Sequence, residues 1–269
     1  MKILVTGANG FVGKNMVAAL CQHEVVCLDD DHLDNTQWKN LWSTLLKDNT
    51  LDAVFHIGAC SDTLEQNVNF MMQRNYETTK FLVDWCVENN IPMIYSSSAA
   101  NYGANNDHPS NLYGWSKYVA EDYVVSNSGI ALRYFNVYGP GEERKGRMAS
   151  VAYQMCTRDQ SNLECKLFPD SPRRDFVYVK DVVSANIHAY ENYEALQGKY
   201  YDVGSGQARA FEEVLDLLEI KYSYHSSDAI PEGYQFFTRS NKERWLPGWE
   251  PRYQLEEGIS DYRKVLETR

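Results

Sequence analysis

KILVTGANGFVGKNMVAAL, residues 2–20, is the stretch that decides the fold. Lys2 to Thr6 is the short apolar run of a strand buried on both faces. Gly7, Gly10 and Gly13 follow at GxxGxxG spacing, and Phe11 to Cys21 reads as a helix. Glycines let the backbone turn tightly and approach a pyrophosphate, and the helix N-terminus supplies amide donors and positive potential. Strand, turn and helix in this order set the triplet apart from an ordinary glycine turn. Gly7, Gly10, Phe11, Val12 and Gly13 are therefore candidates to hold a dinucleotide.

Working outward, Val25 to Leu28 reads as the second strand, and Asp29 ends it 22 residues after Gly7. That is near the ~20-residue offset of the carboxylate that hydrogen-bonds an adenosine ribose. Asp30 stands beside it. A carboxylate repels a 2′-phosphate and no Arg or Lys follows closely, so local electrostatics favours NAD over NADP. Further strands are expected at Ala53–Ile57, Pro92–Ser97 and Ile130–Phe135, with helices at Trp38–Lys47 and around 67–89 and 113–125. Such alternation implies an α/β fold, a Rossmann-like doubly wound parallel sheet covered on both faces. After about residue 140 Gly139, Pro140, Gly141, Pro169 and Pro172 break the pattern. The expected division is a dinucleotide-binding domain over 1–140 and a smaller mixed α/β, mostly substrate-binding region over 141–269. Residues 174–190 should return to the first domain, because Phe176 to Tyr178 reads as a buried strand.

The tightest chemical signal is Tyr113-Gly-Trp-Ser-Lys117. Residues four apart share a helix face, so a phenol and an ammonium can point at one site. A free tyrosine, with a pKa of about 10, is a poor base at neutral pH; a nearby lysine cation, with the positive nicotinamide ring, should favour the tyrosinate and lower that value. Ser96-Ser97-Ser98 ends the strand before it and puts a hydroxyl at the carboxyl edge of the sheet, where such folds bind ligands. YxxxK alone is common, but after a dinucleotide turn and a serine-tipped strand it reads as a catalytic constellation.

Composition narrows the field. The 269 residues carry a net charge of −11, with a sequence pI near 5.0. A duplex nucleic-acid binder needs the opposite balance. No run approaches the roughly 18 apolar residues of a membrane span, and MKILVTG is too short for a signal peptide. Six scattered cysteines without a CxxC pair suit reduced thiols and a cytoplasmic protein. The six histidines show no metal-ligand spacing, so no metal is expected.

TGANGFVG (6–13), FHIGAC (55–60), SSSAANYG (96–103), YGWSK (113–117), YFNVYGP (134–140) and RDFVYVKDV (174–182) together resemble the extended short-chain dehydrogenase/reductase family. FNVYGPGEERKGRMASVAYQ (135–154), KLFPDSPRRDFVYV (166–179) and GYQFFT (233–238) are most similar to its ADP-L-glycero-D-manno-heptose 6-epimerases. The resemblance implies Ser98, Tyr113 and Lys117 as catalytic trio and Lys145 as a second acid/base group. It implies that Ile57, Gly58, Ala59, Ser61, Asn75 and Val137 line the cofactor. Asn136, Phe168, Ser171, Arg174 and Tyr234 would contact the ADP-sugar, as would Arg147 and Gln154, which stand where the family has a serine and a histidine. The implied function is an NAD(P)-dependent nucleotide-sugar epimerase of lipopolysaccharide heptose biosynthesis. It would oxidise C6″ transiently and return hydride to the opposite face, as a homo-oligomer with tightly bound cofactor. The family habit is NADP, against the local reading of Asp29. The chain departs from the family in a shorter stretch after Asp29, without the NADP-selecting lysine, and in a shorter Tyr102–Leu112 loop. A 4-epimerase or 4,6-dehydratase of another nucleotide-sugar is the alternative; a resemblance to the dehydratases would imply an acidic pair directly after Ser98, and Ala99-Ala100 stand there instead. A non-catalytic dinucleotide module is a third reading, disfavoured because Ser98, Tyr113 and Lys117 are all present.

Overall fold

A computed structural model describes residues 1–29, 38–47, 50–104, 107–230 and 234–267. Six strands form a parallel sheet: β1 (Lys2–Thr6), β2 (Glu24–Leu28), β3 (Ala53–His56), β4 (Met93–Ser98), β5 (Ile130–Tyr134) and, later in the chain, β9 (Lys199–Val203). Their spatial order is β2-β1-β3-β4-β5-β9. Every neighbouring pair is parallel. Ligands in such sheets bind outside the carboxyl ends of the strands, where the order reverses; here that point lies between β1 and β3. Among the described residues one strand fewer lies beyond β1 than in the usual dinucleotide fold, in keeping with the short interval between Asp29 and Trp38.

Alternation along the strands feeds two cores. Ile3 and Val5 face Met16, Val182 and Ala185 of helices α1 (Phe11–Ala19) and α7 (Val179–Glu191). Leu4 points the other way, toward Trp38, Trp42, Leu82 and Val124. Those residues come from α2 (Trp38–Lys47), α4 (Thr78–Asn89) and α5 (Leu112–Ser126). The helix expected around 67–89 is continuous but not uniform: α3 (Val68–Met72) passes through a π-helical turn at Gln73–Glu77 before α4.

The remaining strands build a smaller lobe. β6 (Asn136–Tyr138), β8 (Arg173–Tyr178) and β10 (Ala208–Ala210) form one sheet, and β7 (Lys166–Leu167) pairs with β11 (Ser223–Tyr224). Helices α6 (Val151–Gln160), α9 (Phe211–Leu218) and α10 (Leu255–Leu266) cover them, and a short α8 (Tyr193–Leu196) precedes β9. Phe176 to Tyr178 is a buried strand, but it joins this lobe. Of residues 174–190 it is α7 that lies on the main sheet, and the sixth strand of that sheet comes from 199–203. Asp175, fully buried, fastens the pieces: it accepts from the amides of Ser205 (2.6 Å), Gly206 (3.0 Å) and Ser240 (2.8 Å) and from both serine hydroxyls. No helix among the described residues is long and apolar enough to cross a membrane.

Candidate active site

One cavity of about 1420 Å³ runs between the sheet edge and the smaller lobe. Gly7, Gly10, Phe11, Val12, Gly13 and Asp29 line one end. Helix α1 begins at Gly10 with no side-chain cap among the described residues, which leaves first-turn amides open to a ligand in the cavity. Gly13 is fixed by contact: a Cβ there would stand 1.9 Å from the Gly7 carbonyl oxygen. Asp29 is held ready by Asn9, whose amide (2.9 Å) and Nδ2 (2.7 Å) donate to its two oxygens. Uncapped amides below and a carboxylate at the end of β2 fit a dinucleotide's pyrophosphate and ribose. Asp30 lies outside the described residues.

Ile57, Gly58, Ala59 and Ser61 form the next wall, with Val137 opposite. Gly58 donates its amide to Thr6 Oγ1 (3.0 Å), which also bonds His56 Nδ1 (2.6 Å). Burial, and the nearby Lys117, hold His56 far down, at about 3, so it stays neutral. Asn75 does not reach the cavity wall. Carried inward by the π-helical turn, it accepts from the Cys60 amide (2.8 Å) and donates to the Cys60 carbonyl (3.0 Å) and Ser116 Oγ (2.8 Å). It thus braces the cofactor loop against α5.

Ser98, Tyr113 and Lys117 meet at the centre of the cavity. Asn111 caps α5 by accepting from the Gly114 amide (2.8 Å), which fixes the start of the helix that carries Tyr113 and Lys117. Ser98 is near enough to the Tyr113 phenol to favour its ionised form. Burial pushes the Tyr113 phenol up and Ser98 offsets part of that. Lys117 is itself shifted. Lys117 is 2% exposed, its Nζ lies 4.2 Å from the centre of the Tyr95 ring, and burial brings it down to about 7 against the pull of Glu121. A lysine that is half neutral at pH 7 is a weak electrostatic support for a tyrosinate.

The far end of the cavity holds Asn136, Gln154, Phe168, Arg174 and Tyr234, while Lys145 lines it on the side of α1. Lys145 lies 5.5 Å from the Phe11 ring centre, and burial lowers it while Glu142 opposes the shift. Arg174 stands 5.2 Å from the Tyr234 ring, and Phe168 packs edge-on against Tyr234 at 5.1 Å. Two expected contacts are not brought here. Arg147 turns away and pairs with Asp62 at 2.5 Å. Ser171, in a left-handed turn (φ 47°), donates to Glu212 (3.1 Å) outside the cavity. Sequence reasoning did not single out Asn9, Arg144, Lys166 and His225, which also line the cavity; the first three lie inside the quoted motifs, and His225 follows β11 with no local signal. Among the described residues no three His, Cys, Asp or Glu stand close enough together to hold a metal ion.

A cavity along the sheet edge, with an uncapped glycine turn at one end and a phenol beside a serine on its wall, is the arrangement of nicotinamide-dependent enzymes on this fold. The chain belongs to the NAD dependent epimerase/dehydratase family, whose model matches residues 3–204. It is similar to the ADP-L-glycero-D-manno-heptose-6-epimerase of Brachyspira hyodysenteriae, 32% identical over 98% of both chains. The structure superposes on the Helicobacter pylori ADP-L-glycero-D-manno-heptose-6-epimerase with a TM-score of 0.86, at 30% identity, covering 100% of this chain and 96% of that one. It shares its fold with the UDP-glucose 4-epimerase of Thermotoga maritima (TM-score 0.87, 24% identity, 100% and 99% covered).

Proposed function

We propose that this enzyme interconverts the 6-epimers of an ADP-activated glycero-manno-heptose. The observation that carries the proposal is that Lys145 shares one cavity with Ser98, Tyr113 and Lys117, its Nζ 5.5 Å from the centre of the Phe11 ring. An inversion is served by proton-transferring groups contributed from two sides, and relatives of this name match nearly the whole chain. The reaction is transient oxidation at C6″, rotation about C5″–C6″ and reduction from the other face, for which the bound dinucleotide supplies a reversible hydride acceptor.

Each remaining task falls to the chain's own residues. Ser98 orients the reacting hydroxyl, Tyr113 takes and returns its proton, and Lys117 anchors the base of the site. Lys145, lowered by burial, is the second proton-transferring group. Arg174, Lys166 and Arg144 offer positive charge to a diphosphate, with Phe168 and Tyr234 as apolar wall. Incubation with either ADP-heptose epimer should give a mixture of both; no interconversion by protein with its cofactor in place refutes the reading. Turnover of UDP- or dTDP-hexoses in its stead would move the assignment to a 4-epimerase.

We infer NAD as the preferred dinucleotide, because the Asp29 carboxylate, fixed by Asn9, stands where a 2′-phosphate would have to approach. NAD should raise the melting temperature more than NADP at equal concentration, and Asp29→Ala should narrow the difference. A larger shift with NADP refutes the assignment. A soluble homo-oligomer in the cytoplasm remains part of this proposal, on family grounds.

A further inference from the structure

Arg147, expected at the sugar, instead joins two rims of the cavity. We propose that Asp62 and Arg147 are positioning residues that close the dinucleotide end of the site and set how long the cofactor stays bound. The loop after β3 brings Ser61, Thr63, Leu64 and Gln66 to one rim, and the 142–148 segment brings Arg144, Lys145 and Met148 to the other. Arg147 Nη2 meets Asp62 Oδ2 at 2.5 Å, and next to it Thr63 Oγ1 lies 3.7 Å from the Met148 sulfur. These contacts link segments 85 residues apart in the chain.

Both rims are mounted on the dinucleotide turn. The first is tied to β1 by the Gly58 amide on Thr6 Oγ1. The second rests on the start of α1: Asn15 Nδ2 donates to the Pro140 carbonyl (2.8 Å), and Lys145 lies over Phe11. A bridge between them spans the glycine turn, away from the wall made by Phe168, Arg174 and Tyr234.

The two partners are built differently. Asp62 is preset, its Oδ1 accepting from the Leu64 amide (2.9 Å) and leaving Oδ2 for the arginine. Arg147 is the arm. Its side chain is 64% exposed, and it follows Gly146, whose φ of 51° and ψ of −124° suit glycine. A Cβ on Gly146 would meet nothing within 4 Å, so conformational freedom and not space explains the glycine. Gln154 Nε2 donates to the Arg147 (3.2 Å) and Ala149 (2.7 Å) carbonyls and anchors the segment just behind the arm. An epimerase ends each turnover with its cofactor in the starting redox state, so a closed dinucleotide end suits it.

This inference rests on the dinucleotide reading of the cavity and not on the identity of the sugar. The test follows release of prebound NADH by its fluorescence after mixing with excess NAD+. Asp62→Asn and Arg147→Gln should each speed release by about two- to fivefold, the range for an exposed ion pair. The double variant should be no faster than either single one, and the charge exchange Asp62→Arg with Arg147→Asp should recover most of the slow rate. About 0.5 M salt should bring the parent close to the variants. Unchanged release in both single variants, or effects that add in the double, overturns the proposal. So does unchanged release with a raised KM for the nucleotide-sugar in Arg147→Gln, which would put the arginine on the substrate. No sugar enters the release measurement, so failure of the heptose assignment leaves this result standing.

Discussion

Lys117 shows most directly how this site trades stability for chemistry. Its folded-state pKa of about 7 lies below the 10.5 of a free lysine, with burial as the main cause. Between about pH 7 and 10.5 the unfolded chain holds a proton that the folded chain has released, so stability rises with pH across that window. Below pH 7 the full burden of burying the charge is present. Lys117→Met should therefore unfold at higher urea than the parent at pH 7, by about 1–4 kcal/mol, with the gap closing toward pH 10. The measurement is made without dinucleotide, and a variant less stable than the parent at every pH would contradict it. Tyr113 poses the complementary case. Its phenol is pushed up by burial and relieved in part by Ser98, so it is protonated at rest, as the proposed role of proton shuttle requires. Tyr113→Phe should lower kcat by about 10²- to 10⁴-fold while the melting shift caused by NAD persists. Loss of that shift along with the rate would mean that the phenol serves binding. The spacing of Tyr113 and Lys117 could be read from the sequence, because an i,i+4 pair is local. The titration of Lys117 could not, because its burial is supplied by groups such as Tyr95 and His56 from other parts of the chain.

At the scale of elements, the β1–turn–α1 unit is fixed by short-range geometry. Gly13→Ala would drive a Cβ to 1.9 Å from the Gly7 carbonyl oxygen, with backbone on both sides and nowhere to yield. It should cost about 1–3 kcal/mol and abolish the NAD-induced melting shift; a variant that still binds NAD with parental affinity would show that the turn is looser than it looks. Trp38–Lys47 and the strands around it matched their patterns because buried strands and amphipathic helices carry their own periodicity. Several elements escaped such reading, among them a turn and a strand that shape the main sheet's surroundings. The π-helical turn at Gln73–Glu77 has no local signature, since it serves to aim Asn75 at the Cys60 backbone. Strand β9, KYYDV, is short and half polar, and its place beside β5 is decided by a partner about 70 residues earlier.

For the molecule as a whole, the critical joints are polar and buried. Glu121 accepts from Arg133 Nε (2.9 Å) and Nη2 (2.5 Å), Ser97 Oγ (2.6 Å) and Asn101 Nδ2 (3.0 Å), joining α5 to β4 and β5 directly beneath Ser98. Arg133 lies 3.7 Å from the Tyr200 ring centre and 4.5 Å from that of Tyr102, whose hydroxyl donates to Asp202 of β9 (2.7 Å). Arg133→Met should cost about 3–5 kcal/mol because it strands a buried carboxylate, and adding Glu121→Leu should return much of that. Equal losses in the single and the double variant, by urea unfolding, would deny the coupling. The amino-acid sequence by itself determined the dinucleotide turn, the alternating sheet, the tyrosine–lysine pair and the family, because each is written in residues that neighbour one another along the chain. Only the tertiary structure decided that Phe176 belongs to the smaller sheet, that Asn75 works through the Cys60 backbone, and that Arg147 reaches Asp62. Those outcomes depend on which distant groups share a desolvated or close-packed space, and a linear pattern does not encode that proximity.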